Sequence, residues 1–239
     1  MSYGRIGVIG AMDSELAALI AALAQPARET VQGLTFHTGR LGAREVVLVR
    51  CGIGKVSAAR CTQVLIDRFA PAAVINTGIA GGLASGLAVG DIVVADGLVQ
   101  HDFDAAPIGF VRGCLCMGDP GAPTVFTPDE PLSALLARTA GDAAGAQRVH
   151  RGLIATGDQF ISGAAAKAAI RSAFPAAMAA EMEGGAVAQA ASMSGVPFAV
   201  VRAISDLADG TAAASFEQFE QHAADISAAT VLQALALLD

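Results

Sequence analysis

Basic residues are scarce in this chain: 15 Lys and Arg stand against 22 Asp and Glu, a formal net charge of −7. No run of Lys and Arg offsets that balance, which argues against a nucleic-acid partner, since a phosphate backbone demands a basic face. No uninterrupted apolar stretch reaches the roughly 18 residues of a membrane span. Arg5 lies near Met1, as in a signal peptide, yet the run Ile6 to Met12 meets Asp13 and Glu15 without a small-residue cleavage site. The four cysteines (Cys51, Cys61, Cys114, Cys116) offer only one C-x-C pair, and His37, His101, His150 and His222 are scattered. Half a zinc motif without its second half predicts reduced thiols, no metal and a cytoplasmic setting. No linker, low-complexity tract or repeat interrupts the chain, so one domain over 1–239 is expected.

What is present is a 54% hydrophobic, 15% charged composition rich in alanine, which excludes disorder and suits helices packed closely on a sheet. Strand and helix alternate. Arg5 to Ala11 reads as a buried strand, followed by a helix from Ser14 to Ala24 that Pro26 stops. Thr30 to Arg40 and Glu45 to Cys51 read as strands bent at Gly33 and Gly39 to Gly42, and Lys55 to Phe69 as a helix. Strands follow at Ala73 to Thr77 and Asp91 to Gln100, then a loop-rich stretch from Asp102 to Thr127. Thr127-Pro128-Asp129-Glu130 has the form of a capping box opening a helix to about Ala140, with Gly141 at its end. Next come a strand Arg148 to Thr156, a helix Ala164 to Ala173, a strand Ala177 to Glu181 and a helix Gly184 to Ser194. A fully apolar strand spans Pro197 to Ile204, and a second capping box at Ser215 to Gln218 opens a last helix to Leu238. This pattern predicts an α/β fold with helices on both faces of a mixed, largely parallel sheet.

Three glycine clusters test for phosphate loops. Gly7 to Met12 lacks the G-x-G-x-x-G spacing of a dinucleotide site. In Gly52-Ile53-Gly54-Lys55-Val56, Val49 stands where a P-loop needs its first Gly, and Val56 stands where it needs Ser or Thr. Gly78-Ile79-Ala80-Gly81-Gly82 directly follows a strand, where glycines serve either a tight turn or close approach of a ligand.

Carboxylates gather after the strands: Glu15 after the first, Glu181-Met182-Glu183 after Ala177 to Glu181, and Ser205-Asp206 with Arg202 on the most apolar strand. Ligands of open α/β sheets sit outside the carboxyl ends of strands. Taken singly, Glu15 could be a helix-dipole partner and Arg202 with Asp206 a structural ion pair. The ordered set Gly7 to Glu15, Gly52 to Val56, Asn76 to Gly82, Val89 to Val93, Thr156 to Ile161, Glu181 to Glu183 and Arg202 to Asp206 resembles the bacterial 5′-methylthioadenosine/S-adenosylhomocysteine nucleosidases of the nucleoside phosphorylase superfamily. The resemblance runs from about Arg5 into the final helix.

It implies a three-layer α/β/α sandwich, a homodimer and hydrolysis of the N-glycosidic bond of 5′-alkylthio adenine nucleosides without a cofactor. By that resemblance, Glu15 activates water, Glu183 holds the ribose hydroxyls and Asp206 protonates purine N7, with Arg202 and Ser205 fixing the network. Phe160 would stack on the base, while the Ile161 backbone and the Ala80-Gly81 turn line base and sugar. Met12, Ile53, Met182 and Phe216 would face the 5′-alkylthio group, and Phe110 would reach the partner subunit's site. Ile79 occupies a position where the family often has Ser, so a hydroxyl is missing there.

The chemistry agrees with these roles. Glycosidic cleavage builds positive charge on the sugar and negative charge on the base, so a carboxylate below the ribose and a proton at N7 oppose both. Asp206 needs a raised pKa to donate at neutral pH, which an apolar cleft supplies. A phosphorylase would instead need Arg or Lys clamps for phosphate. The corresponding neighbourhoods here read Ala11-Met12-Asp13 and Ile75-Asn76-Thr77. The remaining substrate alternative is 6-amino-6-deoxyfutalosine, and the segment Leu207 to Ser215 is expected to be a flap over the 5′ end.

Overall fold

The computed structural model describes residues 4–116, 118–145 and 148–238, so both ends of the expected 1–239 domain lie outside the described residues. Strand β1 (Ile6–Gly10) is buried at every position and runs parallel between β4 (Arg44–Arg50) and β5 (Ala73–Asn76). Covered on both faces, it has a continuous apolar sequence instead of an alternating one. Helix α1 (Asp13–Ala21) follows, then an antiparallel hairpin of β2 (Ala24–Val31) and β3 (Leu34–Leu41), with β3 pairing onward to β4.

Here the expectation of a helix to Ala24 and one strand from Thr30 to Arg40 is corrected. β2 is an outer strand exposed along most of its length, so no apolar alternation marks it, and Pro26 sits in an irregularity of pairing between Ala24 and Ala27. The bend at Gly33 is a hairpin turn in which Gln32 and Gly33 both take positive φ, 50° and 78°.

Beyond α2 (Lys55–Phe69) and β5, the Gly78–Gly82 segment is β6 (Ile79–Gly82), a strand and not a turn. It pairs with β10 (Phe198–Asp206) and with β9 (Ala177–Glu181), while β8 (Val149–Thr156) joins β9 to β7 (Ile92–Gln100). The sheet order is β2-β3-β4-β1-β5-β10-β6-β9-β8-β7, and β7 also pairs back onto β10. Half of the sheet therefore closes on itself, helped by extra residues at Asp96 in β7 and at Met178 in β9 that bend the strands. The buried β10 is shared: Phe198–Val200 pair with β5, Val201–Ala203 with β7 and Ala203–Asp206 with β6.

Helices cover both faces, as the α/β/α reading requires. In α2 the buried positions Ala58, Cys61, Thr62, Leu65 and Phe69 fall at helical spacing and pack with Val187, Ala188 and Ala191 of α5 (Gly184–Met193). On the opposite face, Ala228, Val231 and Leu235 of α6 (Ala212–Leu237) share one core with Leu16 and Leu19 of α1 and with Leu132, Leu136 and Ala140 of α3 (Glu130–Ala144), α6 packing against both helices. Ile170 and Phe174, in and after α4 (Ala164–Ala173), close the barrel-like half over Val99, Ala155 and Ala180.

Two helix boundaries differ from the sequence reading. The cap of α3 is Asp129, which accepts the Leu132 N–H at 2.9 Å, and the helix passes through Gly141 to Ala144. Its buried stripe outweighs a glycine penalty of about 1 kcal/mol. Helix α6 begins at Ala212 behind Thr211, so Ser215 lies inside it, and the expected flap shrinks to the short segment 207–211. Among the described residues no helix is long and apolar enough to cross a membrane.

Leu48 is fully buried in β4 between α1 and α6 and far from solvent. Leu48→Ala is expected to lower stability by about 2–5 kcal/mol in urea unfolding, while kcat and KM per folded molecule stay unchanged.

Candidate active site

The carboxyl ends of β1, β9 and β10, together with β6, border a cleft of about 120 Å³ walled largely by apolar side chains. Its lining includes Met12, Glu15, Ile53, Ala80, Gly81, Phe160, Ile161, Met182, Glu183, Ser205, Asp206 and Phe216, twelve positions expected from sequence. Two expected residues lie elsewhere. Arg202 is 1% exposed and sits below the floor of the cleft, while Phe110 follows the 3-10 turn Ala106–Ile108 and does not line this chain's cleft. In that turn Ile108 is the apolar side chain that protrudes, at 75% exposure.

Glu15 stands at the third position of α1, and its Oε2 accepts the N–H groups of Ala11 and Met12 at 2.6 and 3.0 Å. This is the helix-cap role, but it is only half of the geometry. Oε1 reaches across to β6 and accepts the Ile79 N–H at 3.2 Å. Only glycine permits that approach at Gly78, because a Cβ there would lie 2.5 Å from Glu15 Oε1. The residue in place of the family's Ser thus contributes its backbone N–H, and its side chain lines the cleft. Burial raises the Glu15 pKa, opposed by the Arg202 charge and the three N–H groups.

Glu181 was present in the sequence motif but carried no assigned role. It takes the one buried Lys or Arg among the described residues: Arg202 Nη2 donates to Glu181 Oε2 and to Asn76 Oδ1, and Nη1 donates to the Val201 carbonyl at 3.1 Å. The Thr156 hydroxyl and the Gly184 N–H also donate to Glu181. Burial works against its charge, but the guanidinium and these donors hold its pKa below the ordinary value. Two residues on, Glu183 heads α5 and accepts the Gly54 N–H at 2.9 Å. Burial, with the Glu181 charge beside it, pushes the Glu183 pKa up to about 7.

Ser205 and Asp206 are adjacent, and in a regular strand they would face opposite ways. A bulge prevents this: Ile204 pairs with Ala80 and Asp206 with Gly81, leaving Ser205 as the extra residue. Both side chains therefore line the cleft, with the Ser205 hydroxyl donating to Asp206 Oδ2 at 2.9 Å. The Ala208 N–H donates to Oδ1 at 2.8 Å. Asp206 is 2% exposed, and burial raises its pKa against these two hydrogen bonds.

Apolar side chains form the rest. Phe160 and Phe216 meet edge to face with centroids 5.5 Å apart at the mouth, where Phe160 keeps 47% exposure and Ile53 58%. Ala11, Gln159 and Ala180 also line the cleft but carried no assigned role in the sequence, and Ile79, marked there only for its missing hydroxyl, joins them. Ala11 and Gln159 lie inside the motifs and Ala180 beside one, so that position was their only signal. Among the described residues, the cleft lining carries no Lys or Arg, and no group of three or more His, Cys, Asp or Glu is arranged to hold a metal ion.

The sequence model of the phosphorylase superfamily matches residues 5–236. A 5′-methylthioadenosine/S-adenosylhomocysteine nucleosidase of Actinobacillus succinogenes is 43% identical over 98% of this chain and 100% of its own length. One from Staphylococcus aureus is 43% identical over 95% of this chain and 96% of its own. The structure of the Streptococcus pneumoniae nucleosidase with a transition-state inhibitor superposes with TM-score 0.91 at 42% identity, covering 98% of this chain and 100% of that one. A futalosine hydrolase mutant from Helicobacter pylori superposes with TM-score 0.87 at 32% identity, covering 97% of this chain and 98% of that one.

The raised Glu183 pKa has a stability consequence. Its folded value of about 7 exceeds the reference 4.5, so the native state binds this proton more tightly than the unfolded chain. The resulting stabilisation is fully present below pH 4.5 and is lost as pH rises through about 7. Glu183→Gln, which keeps an oxygen for the Gly54 N–H, is expected to gain about 1–3 kcal/mol over the parent at pH 8 and nothing at pH 4. Thermal melts of both proteins across that range check it.

Proposed function

This chain belongs to the phosphorylase superfamily, and we propose that within it the protein is a hydrolase that cleaves the N-glycosidic bond of 5′-alkylthio adenine nucleosides such as 5′-methylthioadenosine and S-adenosylhomocysteine. The observation that carries this reading is an apolar cleft in which burial raises the Asp206 pKa while the buried Arg202 guanidinium is committed to Glu181. Burial favours the protonated form of Asp206, which gives its proton to N7 of the departing adenine. Glu183 binds the ribose 2′ and 3′ hydroxyls, and its charge stabilises the cationic sugar. Glu15 takes a proton from the attacking water as its oxygen bonds to C1′ and the bond to the base breaks. Products are adenine and the 5-alkylthio ribose, with Glu15 protonated and Asp206 ionised until solvent exchange restores both.

Arg202 acts below the cleft by fixing Glu181, and Ser205 steadies Asp206. Phe160, with the Ile161 backbone, holds the base, while Ala80 and Gly81 border the sugar. Met12, Ile53, Met182 and Phe216 give the 5′ end a soft, thioether-compatible surface. Water is favoured over phosphate as the acceptor because, among the described residues, no Lys or Arg lines the cleft to clamp a dianion. The same absence disfavours a nucleoside 5′-phosphate as substrate.

The reading extends to residues 1–239 as one nucleosidase domain, a cytoplasmic homodimer serving methionine salvage. Exposed Ile53, Val56 and Ile108 supply apolar surface for a second copy, and Phe110 would act in the partner's cleft. Similarity to a futalosine hydrolase keeps 6-amino-6-deoxyfutalosine as the competing substrate.

Adenine release from 5′-methylthioadenosine is expected to proceed at full rate in phosphate-free buffer; loss of turnover there would overturn the hydrolase reading. Asp206→Asn is expected to lower kcat by about 10²–10⁴-fold with substrate affinity largely kept. Near-normal turnover would remove Asp206 from the reaction. Turnover of 6-amino-6-deoxyfutalosine far above that of both alkylthio nucleosides would shift the assignment to the competing substrate.

A further inference from the structure

Beside the cleft lies a second polar cluster that no step of the proposed reaction uses. The Lys55 ammonium, in the first turn of α2, stands 2.6 Å from Asp102 Oδ1, just past the end of β7, and 3.3 Å from Gln100 Oε1. Asp102 Oδ2 accepts the Asp158 N–H at 2.9 Å. Asp158 Oδ1 in turn accepts the Lys55 N–H at 2.8 Å, which closes a ring of three residues from three distant parts of the chain. The Lys55 and Asp102 side chains retain only 18% and 16% exposure, so solvent screens their charges weakly. Burial opposes ionisation of Asp102, yet the ammonium and the Asp158 N–H hold its pKa below the ordinary value.

The ring sits where two parts of the cleft are anchored. Asp158 opens the segment that places Gln159, Phe160 and Ile161 on the wall. Gly54, next to Lys55, donates to the Glu183 carboxylate. Below, His101 is fully buried without a hydrogen bond on either ring nitrogen, and its ring packs where a side chain at Gly157 would go. The 157–161 segment is thus wedged from beneath by an imidazole and tied from the side by charge. The aromatic wall and the carboxylate of Glu183 share one fixed point, the start of α2.

We propose that Lys55 and Asp102 are positioning residues that set the base-binding wall, Phe160 and Ile161, at the correct distance from Glu183. The assignment rests on the adenine-nucleoside reading above. Neither side chain touches the substrate. They act through Asp158 and Gly54, so their removal loosens ground-state and transition-state binding alike and leaves the chemical step in place.

The test compares the full-length parent with Lys55→Met, Asp102→Asn and the double variant. Adenine affinity is measured by calorimetry, and KM and kcat with 5′-methylthioadenosine. Each single variant is expected to weaken adenine binding and raise KM by about ten-fold, with kcat within about threefold. The double variant should match the singles, because one broken link opens the ring, and Lys55→Arg should restore part of the loss. A lowered Tm with adenine affinity and KM unchanged would overturn the proposal, as would a loss confined to kcat or fully additive effects. A parent that binds adenine but cleaves no nucleoside would count against the hydrolase reading, while the adenine affinities would still decide the positioning role.

Discussion

A buried guanidinium paired with Glu181 underlies the arrangement of the whole cleft. Four carboxyl groups, Glu15, Glu181, Glu183 and Asp206, converge in a space largely walled by apolar side chains. Four unneutralised charges could not share such a space, since burial of each costs several kcal/mol. Arg202 resolves this unequally. It bonds to Glu181 directly and acts on Glu15 and Glu183 through space, so one carboxyl is held below its ordinary pKa while burial raises the pKa of the others. Breaking a pair of this kind by removing one partner typically costs about 3–5 kcal/mol, which makes it a structural constraint as well as an electrostatic one.

The separation of acid from base follows from where the chain runs. Asp206 lies four residues beyond Arg202 on the same strand, about 13 Å of extended backbone. The cation whose charge opposes its raised pKa is Lys167, whose ammonium is already donating to the Gly82 and Leu207 carbonyls. Burial raises the Glu15 pKa as well, but there the Arg202 charge and three backbone N–H groups oppose the rise and favour the carboxylate form that accepts a proton. One strand that belongs both to the open sheet and to the closed half brings both environments to a single cleft.

Much of this was legible in the sequence. Apolar runs such as Ile6 to Ile9 and Phe198 to Val201 announce buried strands, and acidic or hydroxyl residues just past them announce a site at the sheet edge. The rest was hidden for identifiable reasons. β2 is an outer strand without apolar alternation, so Pro26 read as a helix stop. The closure of β7 onto β10 depends on pairing between residues far apart in sequence, which no local pattern encodes. The bulge that turns both Ser205 and Asp206 into the cleft is a matter of register, and the pairing of Arg202 with Glu181 in place of Asp206 depends on it and on the depth of the floor. Phe110, expected from the resemblance to reach a partner's site, lies just after a turn from which Ile108 protrudes.

The account stands or falls on unlike protonation of chemically similar groups within one cleft. The direct measurement is the carboxyl carbon-13 NMR titration of protein labelled at aspartate and glutamate, with Asp206 and Glu181 assigned by Asp206→Asn and Glu181→Gln. The account predicts that Asp206 keeps its proton well after ordinary aspartates have ionised, while Glu181 is ionised before ordinary glutamates. Titration of Asp206 at or below the usual aspartate range, with Glu181 protonated above it, would contradict the account.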